Sequence, residues 1–339
     1  MTFDCYLQMD CKKRWKSLLV LAIDGSTCSL PSHKAIESFF SVHSINKFGV
    51  KRYKARVLMV YDVLNKCVLS AMMSKMRFGE AKLLTNCIKQ LTGKLSKHIY
   101  VMDRNFDGFC QIKGVLLVDP KAALCVRLSS RSGFFKRIMA RPENDFTVEW
   151  GPSNTEKKNC RRNGLDTAPL LVRVTKVTLK TGEIEILVSN LMQMDQYTSD
   201  DLAYLYSLRW GVEEAFKNLK SKMKLEHFGC KKPRGVYQEF YAHIFMMNLV
   251  GLHGIIANAS IEKKTAHRVH RYTYNWKNGY RFVRASLVKV MSKINNISKY
   301  IEWIIDHLQL SLIAIKPGRS FVRDMRWNEI KTRTSQYYK

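Results

Sequence analysis

Four side chains that could act on a phosphate group recur along one face of a predicted helix spanning residues 201–224. At about 100° per residue, Tyr206, Arg209, Glu213 and Lys220 fall within an arc of about 60°, and Lys217 borders that arc. A single carboxylate among cations and a phenol suits a metal ion beside a phosphate. The alternative is a set of i,i+4 ion pairs on a solvated helix face, each worth a few tenths of a kcal/mol.

Two aspartates elsewhere in the chain follow apolar runs of the kind that form buried strands. The run at 17–31 reaches Asp24-Gly25, and the run at 97–109 reaches Asp103. In open α/β sheets, ligands bind at the carboxyl ends of strands, so we expect both acids at one sheet edge. The alternatives are an ordinary turn at Asp24-Gly25 and a helix N-cap at Asp103.

Together with Glu213, these aspartates would form a site of hard oxygen ligands, which favours Mg²⁺ or Mn²⁺. Two such ions, about 3.5 to 4 Å apart, activate a water or hydroxyl for attack on phosphorus. Asp24 is the expected bridging ligand, with Asp103 and Glu213 each completing one metal. Arg209 and Lys220 would then hold backbone phosphates, and Tyr206 would donate to a phosphate or stack on a base.

The charge of the chain points to a polyanionic partner. Its 339 residues carry 57 Lys and Arg against 28 Asp and Glu, a formal charge of +29. Nucleic acid is the first candidate and an anionic membrane the second. The most apolar window, residues 240–260, contains histidine and asparagine, so we expect a buried helix there and no membrane partner. Nine scattered cysteines without a CxxC pair favour a reducing compartment.

The elements that must position these residues indicate an α/β fold. A strand within 17–31 is expected to end at Asp24, two strands are expected at 53–74, and further strands at 97–103 and 122–130, with a helix at 79–95. Residues 131–192 read as a β-rich subdomain with a hairpin turn at Thr181-Gly182. Helices follow at 201–224, 236–259 and 281–295. The last residues are strongly basic, and the extended segment 316–327 is expected to contact phosphates through Arg319 and Arg323. The alternative is an ordinary solvated tail.

The spacing Tyr206-x2-Arg209-x3-Glu213-x6-Lys220 resembles the YREK signature of the DDE transposases of bacterial insertion sequences. AIDGSTCSLP, around Asp24, and VMDRNFDG, around Asp103, are similar to the two aspartate segments of that family. The resemblance runs from about residue 18 to the C-terminus.

The resemblance implies a ribonuclease-H-like mixed sheet core in two parts, 18–130 and 193–260, interrupted by a β-rich insertion at 131–192. A short N-terminal remnant, 1–17, and a basic helical region, 261–339, would flank it. It further implies cleavage of double-stranded DNA at transposon ends and strand transfer into target DNA, with a homodimer in the DNA complex. Asp24, Asp103 and Glu213 would be metal ligands in a bacterial, cytoplasmic, nucleoid-associated enzyme.

Two other functions stay open at this point. Only 23 residues precede Asp24, where such transposases usually carry a DNA-end recognition region, so the chain could be a catalytically idle, DNA-binding remnant. A structure-selective nuclease on the same fold would need the metals without strand transfer. Trp150, within the predicted insertion, could receive a flipped base, although most tryptophans in β segments are core residues.

Overall fold

The centre of the protein is a nine-stranded mixed sheet that carries helices on both faces. A computed structural model describes residues 2–292 and 297–316. The strands of the main sheet are β1 (Leu19–Leu30), β2 (Ser44–Ile45), β3 (Lys51–Asp62), β4 (Cys67–Lys75), β5 (His98–Met102), β6 (Ala123–Arg127), β7 (Asp145–Trp150), β8 (Leu170–Thr178) and β9 (Ile184–Ser189). A separate two-stranded ribbon consists of β10 (Arg271–Tyr274) and β11 (Leu312–Ile315).

The helices surround this sheet and lie mostly between consecutive strands or after the last one. They are α1 (Thr2–Gln8), α2 (Lys34–Phe40), α3 (Glu80–Leu91), α4 (Phe109–Val118), α5 (Gly133–Met139), α6 (Asn154–Arg162), α7 (Ser199–Ser207), α8 (Trp210–Lys217), α9 (Pro233–Lys264), α10 (Trp276–Ser292) and α11 (Ile297–Leu310). The predicted strands at 53–74, 97–103 and 122–130 and the predicted helices at 79–95 and 236–259 are therefore present, as is the predicted helix at 281–295 up to Ser292, beyond which its last residues lie outside the described part of the chain.

Strand β1 lies in the middle of the sheet, between two strands that run in opposite directions to each other. It runs antiparallel to β3 and parallel to β5, and β6 continues the parallel half. Strand β4 pairs with the other edge of β3. The order across this part is β4-β3-β1-β5-β6, and β9, β8 and β7 extend the sheet beyond β6.

Alternating side chains of β1 explain why both faces of the sheet are covered. Leu19, Leu21 and Ile23 enter a core shared with α3 and α4. Val20 and Ala22 point to the opposite face, where α7 and α8 pack. A strand that is apolar on both sides is stable only between two layers of helices, so the fold has three layers.

Residues 131–192 contain the expected strands, and these join the main sheet. The pairing of Cys125 with Ser189 connects β6 to β9, and β8 and β7 follow. The predicted turn at Thr181-Gly182 lies between β8 and β9, where Gly182 adopts a φ of +81°. Whether the segment is an insertion into a smaller ancestral core stays a prediction.

Helix α9 is long and apolar enough to cross a membrane by length and composition alone, yet it packs inside this protein. Phe240, Met247 and Val250 are fully buried against the sheet and the C-terminal helices. The amide of Asn248 accepts a hydrogen bond from the Val68 nitrogen (2.7 Å) and donates one to the Val68 oxygen (2.8 Å). These contacts tie the helix to β4 as part of the core.

Candidate active site

The sheet register places Asp24 and Asp103 side by side. The parallel ladder of β1 and β5 ends with Ile23 opposite Met102, and each aspartate is the next residue of its strand path. Neighbouring strands lie about 4.8 Å apart. Because side chains alternate along a strand, both aspartates point to the same face of the sheet as Val20 and Val101, which is the face on which α7 and α8 pack. The predicted meeting of these two residues at one point of the sheet is therefore present.

The strand does not end at Asp24, and that prediction is wrong. Strand β1 continues to Leu30, and Asp24 pairs with Met59 of β3. Only the parallel partner β5 stops, because the chain leaves the sheet at Asp103. Asp24 thus lies beside a gap in the sheet, where its carboxylate meets groups from elsewhere.

Asp103 begins a short 3₁₀ turn, Arg104–Phe106, so its N-cap role is real. Its Oδ1 accepts a hydrogen bond from the Asn105 nitrogen at 2.9 Å. Because a cap uses one carboxylate oxygen, it fixes the orientation of Asp103 without occupying the whole group.

The ionisation of Asp24 depends on several charged groups. Burial raises the pKa of Asp24 to about 6, the neighbouring charges of Asp103 and Glu213 add to the rise, and the Gly25 N–H and Arg209 oppose it. Three acids and one arginine therefore share this part of the protein.

The expected continuous helix over 201–224 is wrong, because it is divided into three pieces. Helix α7 ends at Ser207, α8 begins at Trp210, and a π-helical turn follows at Asn218–Lys222. At the first break, the Arg209 nitrogen donates to the Tyr206 oxygen, which is the tighter i→i−3 pattern. Gly211 then passes so close to Val63 that an added Cβ would lie 3.1 Å from its Cγ1.

Arg209 and Glu213 form the i,i+4 ion pair that is the alternative interpretation of this helix face. Arg209 Nη2 donates to Glu213 Oε1 at 2.8 Å. The guanidinium also lies 5.7 Å from the ring centre of Tyr206 and 4.9 Å from that of Trp210. With Arg209 only 5% exposed, the two rings and the carboxylate fix its position.

Tyr206 and Lys220 differ in how they face the site. Tyr206 is buried, and burial raises the pKa of its phenol to about 12, so the hydroxyl stays protonated. The Lys220 ammonium donates to the Ser26 hydroxyl (2.7 Å) and the Thr27 oxygen (2.6 Å) of β1. It therefore joins the end of the helical segment to the strand that carries Asp24.

The remaining predicted DNA contacts lie further out. Lys217 is exposed in the last turn of α8. Arg319 and Arg323 lie outside the described residues. The DNA contacts assigned to all six basic and aromatic residues stay predictions.

The donor chemistry of the acids fits a divalent cation, although their present arrangement is not a closed site. One oxygen of each carboxylate accepts a hydrogen bond: Oδ1 of Asp24, Oδ1 of Asp103 and Oε1 of Glu213. Within the described part of the chain, the second oxygen of each group is left to bind a cation. No three His, Cys, Asp or Glu side chains of the described residues lie close enough to hold a metal as they stand. The expected convergence of all three carboxylates is not seen, since Arg209 holds Glu213.

Sequence reasoning missed Glu80, which packs against the strand beside Asp24. A Cβ added to Gly25 would lie 3.2 Å from the Glu80 carboxyl carbon, and Arg56 Nη1 lies 3.2 Å from Glu80 Oε1. The glycine after Asp24 was the available signal. At this glycine the Glu80 side chain from α3 occupies the adjacent space.

Trp150 is a core residue in this structure. It is buried, stacks on Phe134 with ring centres 4.7 Å apart, and meets Phe109 edge-on at 5.7 Å. Its indole therefore fastens β7 to α4 and α5.

The sequence profile of the transposase DDE domain matches residues 15–249. This chain belongs to that family. The matched region begins just before β1 and ends within α9, so it contains Asp24, Asp103 and the whole segment from Tyr206 to Lys220.

Comparisons with individual proteins add less. None of the curated proteins compared with the chain matches it significantly. Among solved structures, the cryo-EM structure of the piggyBac transposase synaptic complex with hairpin DNA is similar to it, with a TM-score of 0.49 and 12% sequence identity. The similarity covers 96% of this chain and 64% of that one.

Proposed function

We propose that this protein is a DNA transposase that cleaves double-stranded DNA at the ends of a mobile element and joins the released end to target DNA. The observation that carries the proposal is the position of Asp24 and Asp103 on adjacent parallel strand paths, facing the segment that presents Arg209 and Glu213. Membership of the transposase DDE domain family supports it.

Divalent metal ions, Mg²⁺ or Mn²⁺ and two in number, would supply an activated oxygen nucleophile and neutralise charge at the phosphorus. Asp24, Asp103 and Glu213 would hold them through their available carboxylate oxygens. Arg209 orients Glu213 through their hydrogen bond. Lys217 and Lys220 contribute positive charge toward DNA phosphates, and Tyr206 contributes a protonated hydroxyl.

A ribonuclease-H-like core is the fold we assign to residues 18–130 and 193–260. The strand order β4-β3-β1-β5-β6, with three antiparallel strands followed by two parallel ones, supports this assignment. In this reading residues 131–192 are the β-rich insertion and 261–339 the basic helical C-terminal region. Residues 1–17 are a short N-terminal segment.

We further assign the chain to the YREK group of bacterial insertion-sequence transposases. It would act in the cytoplasm at the nucleoid, as a homodimer on paired transposon ends. The charge of +29 supports a DNA partner, and the Tyr206-Arg209-Glu213-Lys220 spacing supports the group.

The test uses supercoiled plasmid that carries the DNA flanking the gene, including its inverted repeats, with Mg²⁺ present. We expect nicking at the repeat ends by the wild type and no cleavage by Glu213→Gln, while DNA binding is retained. Glu214→Gln is the matched control, because Glu214 is the next residue of α8 and is exposed. Unchanged cleavage by Glu213→Gln would remove that residue from the catalytic group.

A further inference from the structure

The tip of the β2–β3 hairpin, residues 44–51, exposes an unusual amount of apolar surface. Ile45, Phe48 and Val50 are 61%, 69% and 56% exposed, and they lie within six residues of one another. Clustered exposed apolar side chains on an otherwise polar surface mark interaction sites.

The hairpin tip is held in one conformation by hydrogen bonds within the turn, two of them to the Asn46 side chain. Asn46 Oδ1 accepts hydrogen bonds from the nitrogens of Phe48 and Val50, each at 2.9 Å. The Asn46 nitrogen donates to the Val50 oxygen at 3.0 Å, and Gly49 supplies a φ of +77°. Phe48 is therefore presented on a preformed turn, which lowers the entropic cost of binding.

The same hairpin is strongly basic. Lys47 lies over the Phe48 ring, 5.1 Å from its centre, and Arg52 and Lys54 follow at the start of β3. The nearby acid, Glu37, is already engaged by Lys51 at 2.7 Å and by Tyr53 at 2.6 Å. No salt bridge to Lys47, Arg52 or Lys54 is formed within residues 2–292 and 297–316. Their charge is available to a polyanion.

The hairpin tip lies within reach of a duplex that is seated at Asp24. Six residues of β1 separate Asp24 from Leu30, Leu30 pairs with Tyr53, and five more residues lead to Phe48. At about 3.3 Å per strand residue this path is at most about 35 Å long, since residues 48–50 lie in the turn before β3. One turn of duplex DNA is about 34–36 Å, so a duplex seated at Asp24 can reach the hairpin tip within about one turn.

We propose that the tip of the β2–β3 hairpin is a second DNA-contact site, which binds the duplex within about one helical turn of the active site. Phe48 enters a groove as an apolar wedge, while Lys47, Arg52 and Lys54 contact the adjacent phosphates. The inference rests on the proposed DNA-cleaving function and deepens it, because it adds a contact that fixes the direction in which the DNA leaves Asp24.

The first test compares duplexes of 8 and 24 base pairs, since only the longer one can reach both sites at once. Phe48→Ala should bind the 24-base-pair duplex about tenfold more weakly, the size of a lost aromatic contact to a base. Binding of the 8-base-pair duplex should stay within about twofold of wild type. The triple variant Lys47→Ala/Arg52→Ala/Lys54→Ala should reduce the salt slope of log K by about 2 to 3.

Leu171→Ala is the matched control for Phe48→Ala, because Leu171 is 60% exposed on β8, in the distant part of the sheet. Melting temperatures of Phe48→Ala and Leu171→Ala should equal that of the wild type, since both side chains are exposed, and the triple variant should stay folded because Lys47 and Arg52 are exposed and Lys54 is only half-buried. If wild type binds the 24-base-pair duplex and Phe48→Ala binds it equally well, the hairpin proposal fails and the proposed function stands. If wild type binds neither duplex, both fail.

A second test places a photoreactive phenylalanine analogue at position 48 or position 171 and irradiates the complex with the 24-base-pair duplex. The proposal predicts protein–DNA crosslinks from position 48 and none from position 171. Crosslinks from position 48 to a second copy of the chain would instead identify the hairpin as a protein interface and overturn the proposal.

Discussion

The strand half and the helical half of the candidate active site are held in place by different forces. Asp24 and Asp103 are located by the backbone ladder of β1, β3 and β5, which does not depend on their side chains. Arg209, Glu213 and Lys220 are located by side-chain contacts with rings, carboxylates and β1. Substitution in the strand half should therefore remove chemistry and spare the fold, whereas substitution in the helical half should affect both.

Asp24→Asn should cause the largest loss of activity of all the variants. At the same time it should make the fold more stable. Cleavage should fall to background, because a neutral amide is a poor ligand for Mg²⁺. In metal-free buffer the free energy of unfolding of the variant should be higher by about 1–2 kcal/mol. Burial and the charge of Asp103 raise the pKa of Asp24, so the native carboxylate destabilises the fold when it is ionised. Thermal unfolding and plasmid nicking measure the two effects.

Asp195→Asn is the control for Asp24→Asn, because Asp195 is exposed. It should change neither cleavage nor the melting temperature. A clear loss of stability in Asp24→Asn would mean that the carboxylate supports the fold, which contradicts the contrast between the two halves.

Arg209→Lys should be intermediate in effect, with losses in both properties. A lysine keeps the charge but cannot reproduce the planar contacts of the guanidinium with the rings of Tyr206 and Trp210 or its hydrogen bond to Glu213. We expect a loss of about 2 kcal/mol in unfolding free energy and a marked fall in cleavage. Wild-type values for both would show that the guanidinium does not position Glu213.

Lys220→Met and Lys217→Met form a matched pair with the smallest expected effects. Lys220 donates two hydrogen bonds to β1, so its loss should destabilise the fold by about 1–2 kcal/mol. Lys217 is exposed, so its loss should leave stability unchanged and reduce the salt slope of DNA binding by about 0.9. Equal stability of the two variants would indicate that the contact of Lys220 with β1 is not needed.

Local sequence patterns predicted the positions of some residues of the candidate site because such patterns report on neighbouring residues. An acid after an apolar run located Asp24 and Asp103 next to each other, and helical spacing offered the Arg209–Glu213 ion pair as the alternative interpretation of the helix. The continuation of β1 past Asp24 could not be read in this way, because it depends on β3, more than 20 residues later.

The break between α7 and α8 has the same kind of origin. It coincides with the close approach of Gly211 to Val63, a residue from a distant part of the chain. The role of Glu80 beside Gly25 was missed for the same reason. The pattern of apolar residues in one segment indicates which of its side chains are buried, but not which distant segment packs against them.

The central claim is that Asp24, Asp103 and Glu213 together bind the catalytic metal. Anomalous diffraction from crystals grown with Mn²⁺ and a DNA duplex tests it most directly. We predict an anomalous peak within coordination distance, about 2.0–2.2 Å, of Asp24 and Asp103 oxygens, with Glu213 completing the site. A peak that contacts neither aspartate, or no peak while DNA is bound and cleaved, would contradict the claim.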